Sequence, residues 1–141
     1  MRKIIIIFIL AFFPLNTFAA EVNDAEDMGR LAGVVLACNA HKTLYQFEEI
    51  ISRYFSNTSP NEDVEKALIR DYAQAKANSF SIYRYRKNDC AQTIREFSQM
   101  PIFKSELYSD GSLRLPDGKF LYPRGQRKLA KGAERIYPSN R

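Results

Sequence analysis

Histidine and cysteine are almost missing from this 141-residue chain: His41, Cys38 and Cys90 are all there is. One imidazole and two thiols are too few for the three or four His/Cys ligands of a tetrahedral metal centre. The common catalytic signatures are missing as well. No P-loop, G-x-G-x-x-G, H-E-x-x-H or G-x-S-x-G occurs, so the chemistries readable from those patterns have no foothold. His41, the sole candidate base, sits beside Lys42 between two predicted helices with no acid at an orienting spacing, and reads as a surface histidine. The neighbouring carboxylates Glu48–Glu49 and Glu62–Asp63 diverge around their helices instead of converging on one point. The expectation is a chain that is not an enzyme and takes no cofactor. Internal repeats, low-complexity tracts and a second apolar stretch long enough to cross a membrane are also absent.

What is present begins with the N-terminus. Arg2 and Lys3 precede an apolar run over residues 4–13, Pro14 breaks it, and Thr17-Phe18-Ala19 follows with small residues flanking a bulky one. Charge, apolar run, breaker and small-x-small is the layout of a secretory signal peptide. The run is about half of the roughly 20 residues that a spanning helix needs. Cleavage is expected after Ala19, with no cysteine at that point to take a lipid. The remaining chain of about 120 residues suits one domain, expected to be soluble in the periplasm or beyond. Export puts Cys38 and Cys90 in an oxidising compartment, where two cysteines have one pairing. A disulfide across 52 residues contributes on the order of 4 kcal/mol in the loop-entropy account.

Apolar periodicity predicts four helices. The first covers 24–39, with acids Asp24, Glu26 and Asp27 at its start, and carries Gly29 and Gly33, small residues that let another helix pack close. The second covers 44–56, with Thr43 and Gln46 as a capping box. The third starts at Ser59-Pro60-Asn61-Glu62, read as N-cap, proline at N1 and glutamate at N3, and reaches towards Tyr85 with Val64, Ala67, Leu68, Tyr72 and Ala75 inward and Asp71 at the margin of that stripe. Asn78-Ser79 is a candidate bend. The fourth opens at Asn88 or Asp89 and ends before Pro101. Beyond it, Ser109-Asp110-Gly111 and Pro116-Asp117-Gly118 between short apolar runs predict a two- or three-stranded meander over 106–122. A short helix over 126–136 and a loose tail complete the expectation. The predicted fold is mainly α: a four-helix, disulfide-linked bundle over 20–100, a β-hairpin appendage over 101–123 and a basic segment over 124–141.

Charge is unevenly divided. The formal net charge is +5. Without Arg2 and Lys3 it is +3; residues 20–113 carry −3 and residues 114–141 carry +6. The basicity therefore belongs to the C-terminal fifth. Arg124, Arg127, Lys128, Lys131 and Arg135 interleave with Tyr122 and Tyr137 there, a mix suited to an anionic membrane surface or a phosphoinositide head group. Arg84, Arg86 and Lys87 form a second basic cluster at the end of the third helix, where positive charge also suits the helix dipole. Nucleic acid would be drawn by the same charge but is not an expected partner of an exported protein. The rival reading is a solvated tail, or one folded back on the acidic helices.

The stretch Leu31-Ala32-Gly33-Val34-Val35-Leu36-Ala37-Cys38, about fifty helical residues, then Asp89-Cys90-Ala91 through Phe97, resembles small exported two-cysteine helical proteins of Gram-negative bacteria. It is also similar to small type II-secreted helical effectors, some of which bind phosphoinositides. The resemblance spans 28–98 and implies secretion; the basic C-terminus departs from many members. The expected function is non-catalytic binding of anionic lipid. The alternative is a periplasmic accessory or chaperone-like protein that meets a protein partner through its helical face.

Overall fold

The structure, a computed structural model, describes residues 25–86 and 89–138. The expected leader at 1–19, Lys87 and Arg141 lie outside the described residues. Within them the chain is mainly helical. It runs α1 (Ala25–Ala37), α2 (His41–Thr58), α3 (Glu62–Tyr83) and α4 (Cys90–Ser98). A 3-10 turn (Pro101–Lys104) then leads to β1 (Glu106–Tyr108), β2 (Leu113–Arg114), β3 (Phe120–Leu121) and β4 (Arg135–Tyr137). The Cys38–Cys90 disulfide is formed and links the end of α1 to the start of α4.

Helix α1 lies along α3 with almost no side chain between them. A Cβ on Gly33 would sit 2.6 Å from Ser79 Cβ, and one on Gly29 2.8 Å from Ala75 Cβ, in both cases also inside contact distance of α3 carbonyl oxygens. Glycine's missing side chain is therefore what sets the helix separation. Small residues on the opposing face complete the fit, and Ser79 Oγ donates to Arg30 O at 2.7 Å. The expected inner stripe of α3 holds in part: Tyr72 is buried, Leu68 packs against the core and Ala75 faces Gly29, while Val64 is exposed and Ser79, outside the stripe, is buried. A close glycine contact selects small side chains, polar or not, which apolarity alone does not reveal. The helix runs unbroken through Asn78-Ser79.

Two helix starts differ from expectation. Helix α2 begins at His41, with Ala40 at the N-cap and no side-chain cap bond, so Thr43 lies inside the first turn. Asn39 takes a left-handed φ of 60°, which reverses the chain at once and lets α2 begin earlier. At α3 the cap is Asn61, whose side chain accepts from Val64 N at 3.0 Å. Ser59 instead closes α2, its Oγ donating to Phe55 O at 2.6 Å, because α2 runs on to Thr58 and takes it up.

Helix α2 is the central element. Leu44, Phe47, Ile50, Ile51, Tyr54 and Phe55 form its buried face. Phe47 meets Phe97 of α4 edge-on at 5.1 Å, and Phe97 meets Phe103 at 5.2 Å; such T-shaped pairs add to area burial. The sheet covers the rest. All its pairings are antiparallel, in the order β3-β2-β1-β4. Leu107 and Leu113 point into the core, and Asn57 Nδ2 donates to Gly111 O at 3.0 Å and Leu121 O at 3.1 Å. That one amide ties the end of α2 to both hairpins.

The meander is present as expected, with β4 as a fourth strand where a helix over 126–136 was expected. Gly125 and Gly132 are each in a left-handed turn, at φ 84° and 81°, and they break helical continuation. Extended pairing of Arg135–Tyr137 with β1 then satisfies the backbone.

Candidate functional site

The two aspartate–glycine turns are built alike. Gly111 N donates to Tyr108 O and Gly118 N to Leu115 O, at 3.1 and 2.9 Å, with both glycines at positive φ. Each aspartate accepts from the amide two residues on, Ser112 or Lys119, at 2.9 Å. They part in what else they hold. Asp117 has no further partner among the described residues, whereas Asp110 Oδ2 also accepts from Gln126 Nε2 at 2.6 Å and Ala130 N at 2.9 Å. Gln126 Nε2 in turn reaches Lys128 O at 2.7 Å. Desolvation works against the Asp110 charge, but the Ala130, Ser112 and Gln126 donors outweigh it and hold the carboxyl at about 2, below the ordinary aspartate value.

Asp110 is thus the pin around which the segment between β3 and β4 is wound. Its far end is fixed by Ser109, whose N–H donates to Glu134 O at 2.8 Å and whose Oγ accepts from Glu134 N at 2.9 Å. The near end is fixed by Arg124, which pairs with Glu65 of α3 at 2.8 Å. Between these clamps Arg127, Lys128 and Lys131 are exposed and make no ion pair among the described residues.

The seven residues expected to form the C-terminal patch therefore divide. Arg127, Lys128 and Lys131 stand together on one fixed loop. Arg124 and Arg135 are engaged, with Glu65 and Glu106 respectively. Tyr137 turns inward and its hydroxyl donates to Phe103 O at 3.2 Å. Tyr122 stacks on Phe120, centroids 5.7 Å apart. The second cluster stands apart. Arg84 and Arg86 follow the C-terminus of α3, their guanidinium groups over Tyr85 and Tyr83 at 4.3 and 5.2 Å. Arg124 docks near the other end, on Glu65. Nineteen residues at 1.5 Å each put about 28 Å of helix between Glu65 and Arg84. The two clusters do not merge into one patch.

His41 is exposed at the first residue of α2. No group of three or more His, Cys, Asp or Glu side chains that would hold a metal ion occurs among the described residues. No protein-family model, no curated protein and no solved structure matches the chain. Its own residues therefore carry the functional argument.

Sequence reasoning missed Asp110 and Gln126, the groups that shape the loop. Asp110 carries an ordinary turn signal, and nothing in Ser-Asp-Gly distinguishes it from Pro-Asp-Gly seven residues later. The one visible hint is position: the Asp110 turn faces the segment that has to return to β1.

Proposed function

We propose that this chain is an exported, non-catalytic protein that binds anionic lipid surfaces, phosphoinositide-containing ones among them, through the loop carrying Arg127, Lys128 and Lys131. The observation that carries the reading is three exposed cations, unpaired among the described residues, on a loop whose backbone is pinned by Asp110. A pinned loop loses little backbone freedom on binding, so its charges act with a reduced ordering cost. Each contributes about 1 kcal/mol at an anionic surface, and together they raise partition about a hundredfold over a neutral surface. The Cys38–Cys90 disulfide supports a non-reducing compartment, in line with the expected leader and with the exported-protein resemblance.

Co-sedimentation with vesicles tests this. Binding to phosphatidylserine-containing vesicles should exceed binding to phosphatidylcholine vesicles, fall steeply with salt, and vanish when Arg127, Lys128 and Lys131 are replaced by glutamate. Equal binding to neutral and anionic vesicles would sink the reading.

The second reading, a protein partner on the helical face, is favoured by the groove of about 690 Å³ between α1 and α3. Leu31, Val34 and Ile82 alternate there with Asp71, Gln74 and Asn78, a mixed lining that suits a peptide better than a lipid. Partner capture lost on substitution at Ile82 and retained by the loop variant would establish it.

A further inference from the structure

With Tyr137 turned inward, the loop over 123–134 has cations but no aromatic anchor of its own; the sheet beside it does. Leu107, Leu113 and Tyr137 mark the face turned to the core. Alternation sends Glu106, Tyr108, Arg114, Phe120 and Tyr122 to the other face, and a bulge in the β1–β4 pairing brings Arg135 to it opposite Tyr108. Strand register puts Glu106, Arg114 and Phe120 in one row and Arg135 against Tyr108. Phe120 is the hub of this face. Its ring is 5.7 Å from that of Tyr108, 5.7 Å from that of Tyr122, and 5.7 Å from the Arg114 guanidinium. Glu106 holds the polar half together: it accepts from Arg114 at 3.3 Å, Arg135 at 3.2 Å and the Tyr108 hydroxyl at 2.9 Å. Two guanidinium groups around one carboxylate leave this face net positive.

The face and the loop adjoin along the chain. Tyr122 leads through Pro123 into the loop, and Arg135 is where the loop re-enters the sheet. Aromatic rings with a polar tip beside Arg and Lys are the composition of a membrane interface, where the ring sits at head-group depth and the cations meet lipid phosphate.

We infer that the outer face of the sheet, centred on Phe120 with Tyr108, Tyr122, Arg114 and Arg135, lies flat on an anionic bilayer and supplies the apolar contact that the loop's cations lack. The inference rests on the lipid-binding reading and names the surface that reading leaves unassigned. The same residue types also serve single-stranded nucleic acid, which needs free ring faces for base stacking. Here the Phe120 and Tyr122 rings lie within 6° of parallel and against each other, and Arg114 lies over Phe120. The central ring, Phe120, is therefore already engaged within the protein by Tyr122 and Arg114. A bilayer interface needs only apolar ring edges and a hydroxyl, so the geometry favours the bilayer.

The chain has no tryptophan, so single replacements report without background. The disulfide-intact chain carrying Phe120→Trp or Tyr122→Trp is mixed with phosphatidylcholine–phosphatidylserine vesicles bearing brominated acyl chains. Tyr45→Trp, on the exposed face of α2, is the control. Emission from positions 120 and 122 should shift to the blue and be quenched by about twofold or more, as for side chains seated at the head-group boundary, with no change at position 45. A Phe120→Ala/Tyr122→Ala double variant, its native-like circular dichroism confirmed, should bind the vesicles about tenfold more weakly, the loss of roughly 1.4 kcal/mol. If wild-type chain sediments with the vesicles but neither tryptophan responds, the loop acts alone and the inference is overturned while the lipid reading stands. If wild-type chain fails to sediment, both fall. Quenching by a single-stranded oligonucleotide in place of the vesicles would reassign the face to nucleic acid.

Discussion

Helices α1 and α3 meet through glycine backbone and a disulfide ties α1 to α4, whereas the sheet and its loop, beyond the buried Leu107 and Leu113, are placed by the polar side chains of Asn57, Asp110, Glu106 and Ser109. The first contact is dry and close, and its cost function is volume: there is no space for one extra methyl group at Gly33. The second is a set of single acceptors and donors, each serving several backbone groups. Apart from the buried Leu107 and Leu113, it is expected to depend less on volume than on single polar atoms. The contrast explains how a short sheet of two- and three-residue strands keeps its place. Isolated hairpins of this size are marginal, and here the end of α2 and two turn residues supply the missing restraint.

The comparison predicts a graded series. The largest effect should come from replacing Cys38 and Cys90 by alanine. Opening a 52-residue loop should cost about 4 kcal/mol, measured by urea denaturation. A loss under 1 kcal/mol would show that α1–α3 packing alone holds the helical layer. Next, Gly33→Ala should cost about 3 kcal/mol because the new Cβ meets Ser79 Cβ and backbone of α3. A neutral result would mean that α1 shifts freely along α3. Asn57→Ala should cost about 2 kcal/mol by orphaning the Gly111 and Leu121 carbonyls. Hydrogen exchange should then quicken in the sheet and not in α1; uniform quickening would erase the distinction between the two regions.

The smallest effect concerns Asp110. Its folded carboxyl is held near 2, against about 3.9 in the unfolded chain. A depressed folded value means that the stabilisation is fully present above about pH 4 and is lost as pH falls towards and through 2. Asp110→Asn should therefore flatten the acid limb of the stability curve between pH 4 and 2. At neutral pH it should cost about 1 kcal/mol, the scale of one hydrogen bond, felt mainly as faster amide exchange at Ala130. An unchanged acid limb would remove Asp110 as the pin. All four variants leave Arg127, Lys128 and Lys131 in place, so vesicle binding should follow the order of the loop and not global stability.

Local patterns carried the helices well. The stripe from Leu44 to Phe55, the Asp89 cap and the paired cysteines are local or compositional signals, and each led to the right element. The aspartate–glycine turns likewise located β1, β2 and β3. The failures share a cause. Ser59 and Asn61 are both competent caps, and the choice between them depends on how far α2 runs. Ser79 is buried on α3 because Gly33, far upstream, brings α1 against it. Strand β4 exists because β1 offers it an unpaired edge.

The sequence by itself determined that the chain is mainly helical, that its two cysteines pair, and that its excess positive charge lies in the last 28 residues; composition, periodicity and turn chemistry act over a few residues and need no partner. Only the tertiary structure decided which cations stand exposed and which are spent on Glu65 and Glu106, that Tyr137 faces inward, and that Phe120, Tyr108 and Arg114 share the outer face of the sheet. Those outcomes depend on strand register and on Asp110 reaching residues 16 and 20 positions away, and register and long-range hydrogen bonds are settled only when the layers pack.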